Sequence, residues 1–164
     1  MFTQLLANYL LHNNKPPVLQ SILPTQVTSL IYSGQLPDLV SSKLILKQCE
    51  KCRYVEIGAI MTEKKYSYRW NSGSSYKSWF GSRGHTGTGE SIPMYEPEFT
   101  KGLLYFTDKR VVFVATKHSF DKKIDKLSAV SEFTDGILLQ FGDKTYTVFL
   151  PDGIVAKAAL DLLV

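Results

Sequence analysis

The sequence predicts a mainly β fold: a strongly bent antiparallel sheet or partly open barrel, closed by a C-terminal helix and preceded by a short helical extension. Three observations carry that prediction. Short β-rich runs recur through the last third, at 103–107, 110–116, 137–141 and 146–150. Turn pairs stand between them: Asp108-Lys109, Asp135-Gly136 and Gly142-Asp143. The final residues then change period, with Ile154, Ala158 and Leu162 sharing a helical face with Val155 and Ala159. An open barrel end exposes core, and a helix of small and aliphatic residues is a fitting plug for it.

Taken in chain order, Phe2, Leu5, Leu6, Tyr9 and Leu10 follow helical spacing until Pro16 and Pro17 end the pattern. No basic residue precedes these leucines and no small-residue cleavage site follows, so the stretch reads as a poor signal peptide. It packs on the barrel in this reading; docking a partner chain and self-association are the alternatives. A second helix is predicted from Thr25 to Ser33, with Thr25 as cap, Val27, Leu30 and Ile31 as its apolar face, and Gly34 as its end. Residues 1–40 are therefore read as a helical extension too short for a core of its own, and residues 41–164 as the domain.

From Lys43 the character turns to β. Leu44, Ile45 and Leu46 make a short apolar run, and 54–61 a longer one. Tyr66, Tyr68 and Trp70 alternate with Lys65, Ser67 and Arg69, the period of a half-buried strand. Residues 71–91 are rich in Gly, Ser and Thr, which predicts a long loop or loosely held hairpin. Further short strands are expected at 119–124 and 127–133. Asp152 is placed to cap the last helix.

Composition bounds the function. In 164 residues, 44% hydrophobic and 21% charged content is enough for a real core and argues against overall disorder. The net charge of +4 leans toward anionic partners without the concentration that dedicated nucleic-acid binders show. No apolar run approaches the roughly 20 residues of a membrane span, and the cytoplasm is the default address. Cys49-x-x-Cys52 has metal-ligand spacing, but it stands alone, and His12, His85 and His118 are scattered. No metal and no cofactor is expected. Gly81 to Glu90 invites a phosphate-loop reading, yet neither Gly-x-x-x-x-Gly-Lys-Ser/Thr nor Gly-x-Gly-x-x-Gly is present. Catalytic constellations are missing too: there is no nucleophile elbow, His-Glu-x-x-His or readable carboxylate pair. The chain is read as a non-enzyme.

The stretch Gly102-Leu103-Leu104-Tyr105-Phe106-Thr107-Asp108-Lys109-Arg110-Val111-Val112-Phe113 resembles the central hairpin of GRAM and bacterial PH-like domains, in which Gly-x-Leu-x-x-Thr-x-x-Arg precedes an apolar strand ending in Phe. Asp135-Gly136-Ile137 is similar to the segment that follows in bacterial members. The resemblance covers about residues 43–164. It implies a PH-type fold of two roughly orthogonal sheets with a capping helix, and a binding role toward phosphoinositides or proteins without metal or catalysis.

The leading expectation is an interaction module that binds protein partners or self-associates. Its rival is peripheral binding of anionic lipid headgroups through a basic-aromatic loop, with Arg69, Lys77, Trp79, Arg83, Lys109 and Arg110 as ligand contacts. Nucleic-acid binding through the same residues or the Gly-rich loop comes third. Arg110 also has a structural reading, in which its forked donors satisfy carbonyls or a carboxylate. Lys122, Lys123 and Lys126 are offset by Asp121 and Asp125 and read as a solvated face.

Overall fold

A computed structural model describes residues 16–41, 43–77 and 83–164. The helix expected over residues 2–10 lies outside the described residues.

Seven antiparallel strands form one open sheet in the order β4-β3-β2-β1-β7-β6-β5. They are β1 (Cys52–Lys77), β2 (Arg83–Thr107), β3 (Arg110–Ala115), β4 (Phe120–Lys123), β5 (Ala129–Phe133), β6 (Gly136–Phe141) and β7 (Lys144–Phe149). The helix α1 (Thr25–Tyr32) precedes them, a 3-10 turn (Ile124–Lys126) links β4 to β5, and α2 (Gly153–Leu163) ends the chain. The two sheets that the resemblance implies are one sheet by hydrogen bonding. Its two halves meet through the short β1–β7 ladder, which pairs Ala59, Ile60 and Met61 with Phe149, Val148 and Thr147. Of the Gly/Ser/Thr-rich stretch, residues 71–77 continue β1 and residues 83–91 belong to β2. There β1 and β2 form a second compact unit, Glu63–Pro97, in which Lys65 Nζ lies 5.9 Å from the Tyr95 ring centroid.

Period-2 alternation builds the main core. Ile137, Leu139 and Phe141 of β6 lie beside Val148 of β7 and Ile60 of β1, and Tyr54 stacks on Phe106 at 4.7 Å between centroids. Gly102 permits the close approach of β2 to β3, because a Cβ there would collide with the Val114 carbonyl. Helix α2 closes this face, with the Asp152 carboxylate accepting from the N–H groups of Ile154 (2.9 Å) and Val155 (3.2 Å). Its buried stripe is Val155, Ala156, Ala159 and Leu160. That corrects the expected face by a rotation: Ile154 is 46% exposed, and Leu162 also points outward.

Helix α1 contributes Ile31 to the same core, so the extension is part of the domain's packing. Pro24, and not Thr25, occupies its N-cap position, and its carbonyl accepts from Val27 and Thr28. Thr25 is already the first helical residue, where a side chain cannot cap. Gly34, at φ +85°, ends the helix: its N–H bonds the Ile31 carbonyl, and the Gln35 N–H bonds that of Leu30.

Residues 35–41 and 43–51 form a strap, and the short apolar run Leu44-Ile45-Leu46 lies in it outside any strand. Leu39, Leu44 and Leu46 cover Cys52, Tyr105 and Val112 on the second face of β1, β2 and β3, while Ile45 is 89% exposed. This cover explains why 54–61 and 103–107 are apolar without clean alternation: both faces of these strands are buried.

Candidate functional site

The β2–β3 turn holds two of the residues predicted to meet a ligand, Lys109 and Arg110, and shows what the Thr-x-x-Arg spacing does. Thr107, at the end of β2, is fully buried. Its hydroxyl donates to Glu50 Oε1 at 2.6 Å and accepts from the backbone N–H groups of Arg110 (2.9 Å) and Lys109 (3.2 Å). Three residues on, the buried Arg110 side chain reaches the strap. Nε donates to Glu50 Oε1 at 2.7 Å and Nη2 to Glu50 Oε2 at 3.2 Å. Nη2 also donates to the Ile45 carbonyl at 2.6 Å, and Nη1 to Asp121 Oδ2 of β4 at 2.5 Å. Lys47 N–H completes the Glu50 shell at 2.6 Å.

Burial acts most strongly on the Glu50 carboxyl and pushes its pKa up. Hydrogen bonds from Arg110, Lys47 and Thr107, with the guanidinium charge, outweigh that and bring it from 4.5 down to about 2. The bond to Glu50 chiefly raises the Arg110 pKa, and Asp121 adds to it against burial. The pair is therefore fully ionised, and the Arg110 fork is spent on the fold: it latches the strap onto the hairpin. Lys109 is tied as well, its Nζ donating to the Gln48 carbonyl at 2.7 Å, but from an exposed position.

Arg69 and Lys77 on β1, and Arg83 at the start of β2, belong to the unit Glu63–Pro97, separate from the unit that holds Lys109 and Arg110. Trp79 lies outside the described residues. Cys49 is exposed at φ +58° within the strap, while Cys52 is buried at the start of β1, where burial pushes its thiol pKa up. Among the described residues no group of three His, Cys, Asp or Glu is placed to hold a metal ion.

A feature absent from the sequence reading lies on the other half of the sheet. The register aligns Phe133, Gly136, Phe149 and Ala59 in one row across β5, β6, β7 and β1. Ser131, Leu138, Thr147 and Met61 form the next row, and Ala129, Gln140 and Thr145 a third. None of these residues carries a charge, although the face lies opposite the core that α2 covers. Among the described residues no strap covers it as residues 35–41 and 43–51 cover β1–β3. A sheet face left to water ordinarily alternates toward charged and polar side chains; this one presents Phe133 (50% exposed), Leu138 and Phe149 among neutral groups.

Within the first row, Gly136 leaves a gap between two phenylalanines. The result is a recess of about 250 Å³ lined by Phe133, Asp135, Gly136, Ile137, Thr147, Val148 and Phe149. Phe99 stands edge-on to Phe149 at 5.3 Å and fixes that wall. The face was legible only in part. Alternation places residues 136, 138 and 140 together, but the row appears only once β5, β6, β7 and β1 are in register. Comparison of the chain with family models, with curated proteins and with solved structures finds no match in any of the three.

Proposed function

We propose that this chain is a non-catalytic, PH/GRAM-like interaction module that works through protein contacts, with the uncharged face of β5, β6 and β7 as the contact surface. The observation that carries the reading is that face: partly exposed, partly aromatic, uncharged along its strands, and recessed at Gly136 with Asp135 at the edge. An apolar recess edged by polar groups is the kind of surface that interaction sites use. The PH/GRAM-like part is supported by the antiparallel meander closed by α2, and by the Gly102 to Phe113 motif falling on the β2–β3 hairpin with Thr107 and Arg110 engaged in it.

The lipid reading needs free cations on one surface. It loses Arg110 to the strap latch, and the Lys109 Nζ is tied to the Gln48 carbonyl. Two measurements on the full chain separate the readings. Selection of random dodecapeptides displayed on phage should converge on related sequences. Sedimentation with vesicles of phosphatidylserine and phosphatidylcholine at low salt should leave the chain in the supernatant, as vesicles of phosphatidylcholine alone do. Failure to converge, with pelleting on the anionic vesicles that salt reverses, would overturn the protein-contact reading in favour of lipid.

A further inference from the structure

Resting on the interaction-module reading, we infer that the recess between Phe133 and Phe149 receives a short segment of a partner protein bearing one bulky apolar side chain next to a cationic one.

Size argues for a segment. At about 4.8 Å between strands and about 6.8 Å between successive outward residues of a strand, the three rows span about 14 Å by about 14 Å, or roughly 200 Å². A stable interface between folded proteins takes about 800 Å² from each partner. The face is too small for a second copy to dock firmly through it alone. It is large enough for four or so residues of an extended chain, at about 3.3 Å per residue.

Shape supplies the anchor. The recess of about 250 Å³ has aromatic walls and, at Gly136, a floor with no side chain. A Cβ at that position would stand 2.8 Å from the Val148 carbonyl, so the backbone itself keeps the floor clear. One leucine, methionine or aromatic side chain fits a hole of this size, and desolvated apolar pockets of this kind dominate binding energy. Ser131, Thr147 and Gln140 around it offer neutral hydrogen-bonding groups to a peptide backbone.

Charge sets the neighbour. Asp135 lines the recess beside Phe133, is exposed, and belongs to no ion pair among the described residues. A lysine or arginine within two positions of the anchor meets this carboxylate, and an acidic residue there is repelled.

The dodecapeptides selected on the full chain should share Phe, Tyr, Trp, Leu or Met within two residues of Lys or Arg. In fluorescence polarisation with the best labelled peptide, Phe133→Asp should weaken binding at least tenfold. Phe133→Tyr should stay within about threefold of the parent. Asp135→Asn should weaken binding and flatten its salt dependence. Phe133 is half exposed, so unchanged circular dichroism and melting of Phe133→Asp confirm that the fold is intact. A converged peptide rich in Asp or Glu, or one that binds Phe133→Asp as tightly as the parent, overturns the recess while leaving the interaction-module reading in place. Absence of any converged peptide overturns both.

Discussion

Replacing Glu50 by glutamine removes the anion around which the strap is latched, and the structure sets the size of the effect. The carboxyl falls from 4.5 to about 2 on folding. At about 1.4 kcal/mol per pH unit, that fall corresponds to roughly 3 kcal/mol of stability. Because the folded pKa lies below the unfolded one, this contribution is fully present above about pH 5 and disappears as pH drops through 4.5 toward 2. Glu50→Gln should therefore cost about 3 kcal/mol at pH 7 and less than about 1 kcal/mol near pH 2. Arg110→Met should cost a similar amount at pH 7, because it leaves a buried carboxylate with only its neutral donors, Thr107 and the Lys47 N–H. The double variant Glu50→Gln/Arg110→Met removes both charges and should be less destabilised than the sum of the singles by about 2 kcal/mol. Urea unfolding of the four proteins at pH 7, 4 and 2 supplies all of these numbers. A Glu50→Gln penalty independent of pH, or singles that add within about 0.5 kcal/mol, would refute the latch.

Other consequences of the packing are as direct. Leu160→Ala, in the buried stripe of α2, should cost about 2–5 kcal/mol in chemical denaturation, and Leu162→Ala, three-eighths exposed, should cost under about 1 kcal/mol. Asp152→Ala removes the acceptor for Ile154 and Val155 and should lower stability by about 1 kcal/mol. Buried Glu56 accepts from the Ser21 hydroxyl at 2.5 Å and the Ile22 N–H at 2.8 Å; Glu56→Ala should therefore speed hydrogen exchange at Ile22 more than at Val148. Gly102→Ala drives a Cβ into the Val114 carbonyl and should lower the melting temperature by several degrees, on the order of 1–3 kcal/mol.

Local chemistry made much of this fold legible. The β2–β3 turn, the β6–β7 hairpin around Gly142 and the Asp152 cap each depend on residues a few positions apart, and each stands where the sequence puts it. The strap was illegible because its partners are distant: Glu50 finds Arg110 sixty residues later, and Leu44 packs under no local periodicity. The same distance hid the second role weighed for Arg110, since a ligand-facing arginine and a latching one look alike without Glu50 and Asp121 in place. Helix α2 misled for another reason. Ile154, Val155, Leu160 and Leu162 surround much of its circumference, so the sequence offers two apolar stripes and only contact with β5, β6 and α1 selects between them. The uncharged face sits between these cases. Its alternation is plain along β6 and β7, but its recess needs Phe133 brought beside Gly136 and Gly136 beside Phe149.

Backbone amide chemical-shift mapping of the full chain, titrated with the selected peptide, tests the proposed contact surface most directly. The account predicts that the shifts gather at residues 129–138 and 145–149, around Phe133, Gly136 and Phe149. Shifts gathered instead at Lys109 and along 63–97, with 129–149 unmoved, would contradict it.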